Sequence, residues 1–204
     1  MENHLGGLLV RAWAAQTGGD PAGSVYDEVL RAVSARAAAD GSLGKADIGG
    51  LVLWKRITAQ ATWATRLMET PDSVVREATA AAYVAANDET VSIPVAGQVA
   101  WTAMRPLPGM GGAGALRSAV LLALSPTRMA VWDRRVAASL TALGRLPKYG
   151  DGFYERYLTT LLDLAGHMGT SNPDRRHTPR DVDLALFNIA GDPTLLDEAA
   201  GRGG

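Results

Sequence analysis

The sequence predicts an all-α fold, and three features of its patterning support this prediction. Apolar residues recur three and four positions apart over most of the 204 residues, which is the spacing of a helix with one buried face. Alternating β-branched residues, which indicate strands, are confined to a short piece from Thr90 to Val95. Residues that start or stop helices separate the periodic segments. We expect about eight to ten helices.

In the N-terminal half, glycine and proline residues divide the chain into predicted helices. The predicted ranges are 5–16, 23–39, 47–68, 70–87 and 95–104. Ser24 and Asp47 are the expected N-caps of the second and third helices, because a short oxygen-bearing side chain accepts hydrogen bonds from first-turn amides. Thr70 and Pro71 form the expected start of the fourth helix, with proline in its first helical position.

The C-terminal half begins with a predicted tight, non-helical turn over residues 105–111. The helices predicted after this turn are 115–124, 134–143, 152–166 and 178–189. Asp133 is the expected N-cap of the second of these helices, and Thr178 with Asp181 has the spacing of a capping box for the last. Residues 201–204 are expected to be a frayed tail.

Composition excludes several classes of protein and site. The chain has no cysteine, so disulfides, thiolate zinc sites, iron–sulfur clusters and cysteine nucleophiles are excluded. The three histidines, His4, His167 and His177, lack the spacing of a metal site. No apolar run reaches the roughly 18 residues that span a bilayer. The N-terminal segment has the pattern of an amphipathic helix and not of a signal peptide, so we expect a cytoplasmic protein with no membrane partner.

Charge is distributed unevenly along the chain. The net charge is −1, which argues against a protein that coats DNA generally. Residues 101–148 nevertheless carry a net charge of +6, whereas residues 1–100 carry −3 and residues 149–204 carry −4. The basic members of this strip are Arg105, Arg117, Arg128, Arg134, Arg135, Arg145 and Lys148. The strip indicates either an anion-facing surface or a solvated, arginine-rich face.

The turn at 107–111 reads Leu-Pro-Gly-Met-Gly and lies between two predicted helices. Gly109 and Gly111 allow the chain to reverse tightly with positive φ, and Met110 is expected to hold the turn to the core. The helix that follows would present its unpaired first-turn amides, which can bind a phosphate. A plain helix–helix turn is the alternative.

The segments around this turn resemble the helix-hairpin-helix DNA glycosylase superfamily, the group that contains endonuclease III, MutY and the 8-oxoguanine glycosylases. The resemblance rests on Ile93-Pro94, on the 107–111 turn, on the apolar helix after it and on Met129–Val136 (MAVWDRRV). Residues 51–62 (LVLWKRITAQAT) also resemble a helix of that family. The resemblance covers about residues 48–140.

The resemblance implies one compact helical domain over residues 1–204, with a helix-hairpin-helix motif and a cleft between two helical lobes. Residues 1–44 would form N-terminal helices, residues 45–145 the helix-hairpin-helix core, and residues 146–200 C-terminal helices that pack back onto it. The implied partner is double-stranded DNA. No organic cofactor is implied, although a monovalent cation at the hairpin is compatible with the resemblance. The oligomeric state is left open.

The resemblance also assigns roles to individual residues. Asp133 would be the catalytic carboxylate that stabilises positive charge on the sugar and helps water attack. Gln60 would face the space near the extruded base, and contacts to DNA phosphates would come from Gly109, Gly111, Gly112 and Ala113. Apart from the resemblance, we expect Trp132 to line the base pocket, because flipped bases are often held against aromatic faces; a buried structural role is the alternative. We expect Arg134 and Arg135 to contact phosphates, with pairing to Asp181 or Asp183 as the alternative.

This chain departs from the family pattern in ways that define the expected chemistry. Members that cleave the strand carry a lysine two residues after the second glycine, where this chain has Ala113. A Schiff base is therefore not expected, and a monofunctional hydrolase of base excision repair is the favoured function. A non-catalytic helix-hairpin-helix DNA-binding module and an all-α protein-interaction domain are the alternatives, with Asp133 then only capping its helix.

Overall fold

A computed structural model describes residues 2–18, 25–58, 62–111 and 114–202, with side chains from His4 onward. Within these ranges the chain forms eleven α-helices, one short 3₁₀ turn at Val25–Asp27 and no strand, which confirms the all-α prediction. The helices are α1 (Glu2–Thr17), α2 (Glu28–Asp40), α3 (Lys45–Trp54), α4 (Thr62–Glu69), α5 (Asp72–Ala86), α6 (Ile93–Ala103), α7 (Ala115–Leu124), α8 (Arg134–Ala142), α9 (Phe153–Ser171), α10 (Pro179–Ile189) and α11 (Pro193–Ala199). No described helix has the length and hydrophobicity needed to cross a bilayer.

Several predicted helix starts are confirmed by their capping contacts. Asp133 caps α8, and its side chain accepts from the amides of Arg135 and Val136. Thr178 and Asp181 form the predicted capping box at the start of α10, each side chain accepting from the other residue's amide. The apolar helix α7 spans the predicted residues.

The prediction of one helix from 47 to 68 is wrong. Helix α3 ends at Trp54, and Arg56 adopts a left-handed conformation with φ 52°. The amide of Ile57 then donates to the carbonyl of Val52, so the chain leaves the helix through a C-terminal turn of the Schellman type. Asp47 is not the N-cap of α3 but its third residue. From that position its carboxylate accepts a hydrogen bond from the amide of Gly44.

Other boundaries also differ from the predictions. Helix α2 begins only at Glu28, after the 3₁₀ turn, and the predicted cap Ser24 lies outside the described residues. Pro71 precedes α5 as its N-cap residue. Helix α9 continues to Ser171, and the additional helix α11 is capped by Asp192.

The chain divides into two compact units, with one unit spanning residues 25–131. Helix α7 is its centre: it packs against α2, α3, α5 and α6, and nine of its ten residues are buried. This burial follows from its sequence, since a helix that is apolar on all sides must be surrounded by other elements. The 104–114 segment, which connects α6 to α7, therefore leads directly into the core of this unit.

The second unit combines residues 1–24 with residues 132–204. Helix α1 packs against α9 and α10, and α10 also packs against α8. The core is made of buried aliphatic and tyrosine side chains, among them Leu9, Tyr154, Tyr157, Leu161 and Leu186. The helix-hairpin-helix motif, the cleft and the single-domain organisation stay predictions.

Candidate nucleic-acid interface and carboxylate site

In the 104–114 turn, residues 104–110 are shaped by two internal backbone hydrogen bonds and are held to the unit by two buried side chains. The amide of Leu107 donates to the carbonyl of Met104 at 3.1 Å, and the amide of Met110 donates to the carbonyl of Leu107 at 3.0 Å. The side chains of Leu107 and Met110 are buried, which confirms the prediction that Met110 holds the turn to the core. Backbone bonding and apolar burial therefore set the shape of residues 104–110.

The two glycines of the turn serve different purposes. Gly109 has φ +83°, and a Cβ built on it would lie 2.6 Å from Cε3 of Trp63, so only glycine fits there. Gly111 is not in the left-handed region, and a Cβ built on it would meet no atom of the described residues within 4 Å. Trp63 therefore packs against one side of the turn, while the described part of the chain leaves the space beside Gly111 open. Gly112 and Ala113, the next predicted phosphate contacts, lie outside the described residues.

Helix α7 begins directly after this turn, with Gly114 in the N-cap position and no side-chain cap. The amide of Ser118 donates to the carbonyl of Gly114, which closes the first helical turn. The amides that precede Ser118 in this turn have no intrahelical acceptor by the geometry of any α-helix. This end of α7 therefore carries the partial positive charge of a helix N-terminus.

Arg117, in the first turn of α7, is a feature that the sequence did not single out. Only 3% of its surface is exposed, and its guanidinium carbon lies 4.3 Å from the ring centroid of Trp101 in α6. Its Nη1 donates to the carbonyl of Trp101 at 3.5 Å, and its buried Nε has no hydrogen-bond partner among the described residues. Burial, with a further contribution from the charge of Arg105, lowers the pKa of Arg117 to about 10. Arg117 is therefore still a cation at neutral pH.

Asp133 lies in the second unit as the N-cap of α8 and is half-buried. Its Oδ1 accepts from the amide of Arg135 at 2.9 Å and from the amide of Val136 at 3.0 Å. These bonds orient the carboxylate at the helix N-terminus. Its capping role is confirmed, and its catalytic role stays a prediction.

Trp132, the predicted base-pocket residue, is only 3% exposed and lies in an aromatic cluster. Its ring meets the rings of Tyr149, Phe153 and Tyr157 edge-on, at centroid distances of 5.7, 4.9 and 5.0 Å. A base could stack on this ring only after one of these neighbours moved. Burial, followed by the negative charges of Asp183 and Asp133, raises the pKa of Tyr157 well above its ordinary value, so its phenol is neutral.

The remaining predicted site residues are placed as follows. Gln60 lies outside the described residues. Arg134 and Arg135 are both exposed at the start of α8. The guanidinium carbon of Arg135 lies 4.5 Å from the ring centroid of Phe187, a cation–π contact within the same unit.

Several arginines of the basic strip are bound to groups of their own unit. Arg128 donates through Nη2 to the carbonyls of Asp88, at 2.8 Å, and Val91, at 3.3 Å. Arg145 forms an ion pair with Asp163. The strip is therefore in part structural, and its sequence charge overstates the charge available to a ligand.

A shallow groove on the second unit is lined in part by Arg145 and Arg156. Arg156 donates to the backbone carbonyls of Lys148 and Asp151, and Arg145 is paired with Asp163. Because both cations already have acceptors, this groove is a weaker candidate for an anion site than the α7 N-terminus. Within the described ranges, no group of three or more His, Asp or Glu side chains is arranged to hold a metal ion.

Comparison of the chain with protein-family models, with curated proteins and with solved structures gave no match. A functional conclusion therefore depends on the chemistry of the residues described above.

Proposed function

We propose that this protein binds double-stranded DNA through a helix-hairpin-helix formed by α6, the 104–114 turn and α7. We further propose that it is a monofunctional N-glycosylase of the helix-hairpin-helix superfamily, with Asp133 as the catalytic carboxylate. The observation that carries the proposal is the α6–turn–α7 geometry, in which a glycine turn precedes a helix whose N-cap residue, Gly114, has no side chain to cap it, and whose first turn holds a cationic arginine.

The chemistry of a phosphate contact supports the first part of the proposal. Backbone amides at a helix N-terminus bind an oxyanion, and the helix dipole favours its negative charge. The space beside Gly111, which the described residues leave open, would allow a DNA backbone to approach the turn closely. Contacts of this kind position a duplex without reading its sequence, as base excision requires, because the lesion occurs in any sequence.

The chemistry of Asp133 supports the second part. As the bond between base and sugar breaks, its electron pair leaves with the base and positive charge develops on the sugar. A carboxylate held in place by two amides can stabilise that charge. Water then forms the new bond to the sugar carbon, and Asp133 accepts a proton from that water. Because Ala113 occupies the position of the hairpin lysine, strand cleavage through a Schiff base is not expected.

A non-catalytic DNA-binding module is the second candidate, and one observation favours it. Trp132 is packed among three aromatic rings, so the residue beside Asp133 has no exposed face for a flipped base. In that case Asp133 would serve α8 alone, as its cap.

A panel of duplexes, each with one damaged base, tests both candidates when abasic-site formation and duplex binding are measured together. We expect base release from at least one duplex, and a loss of about 100-fold or more in D133N with binding retained. Asparagine is as good an N-cap as aspartate, so D133N should keep α8 intact. Equal release by D133N would refute the catalytic role of Asp133. Salt-sensitive binding without release would support the non-catalytic module, and neither binding nor release would refute both candidates.

A further inference from the structure

His177 is a buried histidine whose ring has no hydrogen-bond partner among the described residues. Its surface is 7% exposed, and both Nδ1 and Nε2 are buried without a partner there. The ring meets the ring of Trp13 edge-on, at a centroid distance of 5.7 Å. A neutral imidazole has one N–H to satisfy, whereas an imidazolium has two and carries a charge that is costly to bury unpaired. The site therefore fits the neutral ring and not the charged one.

Trp13 is the residue through which the last part of α1 contacts this site. Its Nε1 donates to Oδ1 of Asp181 in α10 at 3.0 Å, and the guanidinium carbon of Arg175 lies 4.5 Å from its ring centroid. His177, Arg175 and Asp181 therefore hold the indole at an edge, at a face and at its N–H. Helix α1 ends shortly after Trp13, and the chain then passes to the unit of residues 25–131. The contact thus fixes the part of α1 from which the chain leaves its unit.

The charged groups that act on His177 are Asp181 from α10 and Arg175 from the preceding loop, while α1 presents the neutral indole of Trp13. A carboxylate accepts about four hydrogen bonds, and those of Asp181 are already made. The four donors are Nε1 of Trp13, Nη2 of Arg175, and the amide and hydroxyl of Thr178. A charged His177 can bond to Asp181 only by displacing one of these donors. Loss of the Trp13 or Arg175 bond frees the indole, and loss of a Thr178 bond opens the capping box of α10.

We propose that His177 is a pH-sensitive switch for the contact between the last part of α1 and the start of α10. The neutral ring closes this contact, and uptake of a proton from solvent opens it until the proton is lost again. Burial lowers the pKa of His177, so proton uptake and opening occur below its ordinary value of 6.5. The inference does not rest on the proposed function, because no step of it involves DNA.

The indole N–H of Trp13 reports the contact in ¹⁵N NMR of the full chain, where its signal is the one missing from W13F. The measurement is its protection against exchange with solvent, relative to a free indole, at about pH 7.5 and about pH 5.5. Trp54 is the internal reference, because its indole also donates to an aspartate, Asp27, and its unit of residues 25–131 has no histidine in its sequence. We expect the protection of Trp13 to fall by about tenfold at the lower pH, the effect of leaving a buried charge unpaired, and that of Trp54 to stay unchanged.

Two variants identify the group that titrates. In H177F the ring cannot take up a proton, so the protection of Trp13 should be the same at both pH values. The double variant H4Q/H167Q leaves His177 as the sole histidine of the chain and should keep the full response. A response that persists in H177F, or that is missing from the double variant, would overturn the inference. So would an equal loss of protection at Trp54, which means global unfolding, or a Trp13 signal that shifts with pH while its protection stays constant. If H177F does not fold, H177Q replaces it in the same comparison.

Discussion

Replacing Gly109 by alanine adds one methyl group at the point where the 104–114 turn touches Trp63. Gly109 has φ +83°, a conformation that costs an alanine about 1–2 kcal/mol relative to glycine. The added Cβ would also lie 2.6 Å from Cε3 and 2.9 Å from Cδ2 of the Trp63 ring. The ring would have to retreat by about 0.8 Å to restore ordinary contact at 3.4 Å, and forced movements of this kind cost about 1–3 kcal/mol.

Together these effects predict that Gly109→Ala lowers the free energy of unfolding by about 2–5 kcal/mol. Gly111→Ala is the matched control. Its added Cβ meets no atom of the described chain within 4 Å and its φ is not in the left-handed region, so we expect a change within about 0.5 kcal/mol. Urea denaturation followed by circular dichroism measures both values.

A double-mutant cycle separates the two parts of the Gly109 effect. In a Trp63→Ala background the steric part disappears, so Gly109→Ala should then cost only the conformational 1–2 kcal/mol, approximately. Equal stability of the Gly109 and Gly111 variants would refute the argument, because it would mean that neither the backbone conformation nor the Trp63 contact constrains the turn. An unchanged cost in the Trp63→Ala background would refute the steric part alone.

Three further predictions concern the second unit. Asp133→Ala should lower the free energy of unfolding by about 1 kcal/mol through loss of the α8 cap, whereas Asp133→Asn should change it by about a few tenths of a kcal/mol. Equal stability of the two variants in chemical denaturation would contradict the capping argument. Gly6→Ala should destabilise the protein by more than about 2 kcal/mol, because its Cβ would lie 2.2 Å from a backbone carbonyl oxygen of α9. Gly7→Ala, with its nearest neighbour at 3.7 Å, should be neutral or stabilising, and the opposite order of melting temperatures would be inconsistent with this packing. Burial lowers the pKa of His177 below 6.5. Because the unfolded chain therefore binds more protons near that pH, the stability present above pH 6.5 should be lost as the pH falls toward the folded-state pKa. Urea midpoints measured between pH 8 and pH 5 should fall less in His177→Phe, which lacks this pH-dependent contribution, than in the exposed-site control His4→Phe, which retains it. An identical pH profile in the two variants would disprove the contribution of His177.

The parts of the fold that could be predicted are those whose signals lie within a few residues of each other. Asp133 and the Thr178–Asp181 pair were recognisable because a cap bonds to amides two or three positions away. Helix α7 was recognisable because its ten residues are almost all apolar and are bounded by glycine and by Ser125-Pro126. The cap of α11 carried the same local signal in Asp192-Pro193, but the prediction did not include that helix.

The end of α3 illustrates what local patterning could not predict. Apolar periodicity continues past Trp54, so the sequence favours a longer helix. In the folded unit, the carbonyl of Trp54 accepts a hydrogen bond from the hydroxyl of Tyr26 at 2.5 Å. The indole nitrogen of Trp54 donates to the carboxylate of Asp27 at 2.9 Å. The partners in these two bonds are 28 and 27 positions apart in the sequence. The bonds favour a helix end that no nearby residue signals.

The features of the candidate site can be separated in the same way, into those that nearby residues signal and those that depend on distant contacts. Local patterning predicts the all-α class, the tight glycine turn at 107–111 and the carboxylate at the start of α8, because backbone bonding over short distances along the chain decides each of them. The contact of Trp63 with Gly109, the enclosure of Trp132 by aromatic rings and the burial of Arg117 come instead from contacts between helices that are distant in the sequence. Burial and ring contacts depend on which helices meet, and an arginine in the first turn of a helix has the same local pattern whether solvent or a tryptophan from a neighbouring helix lies against it.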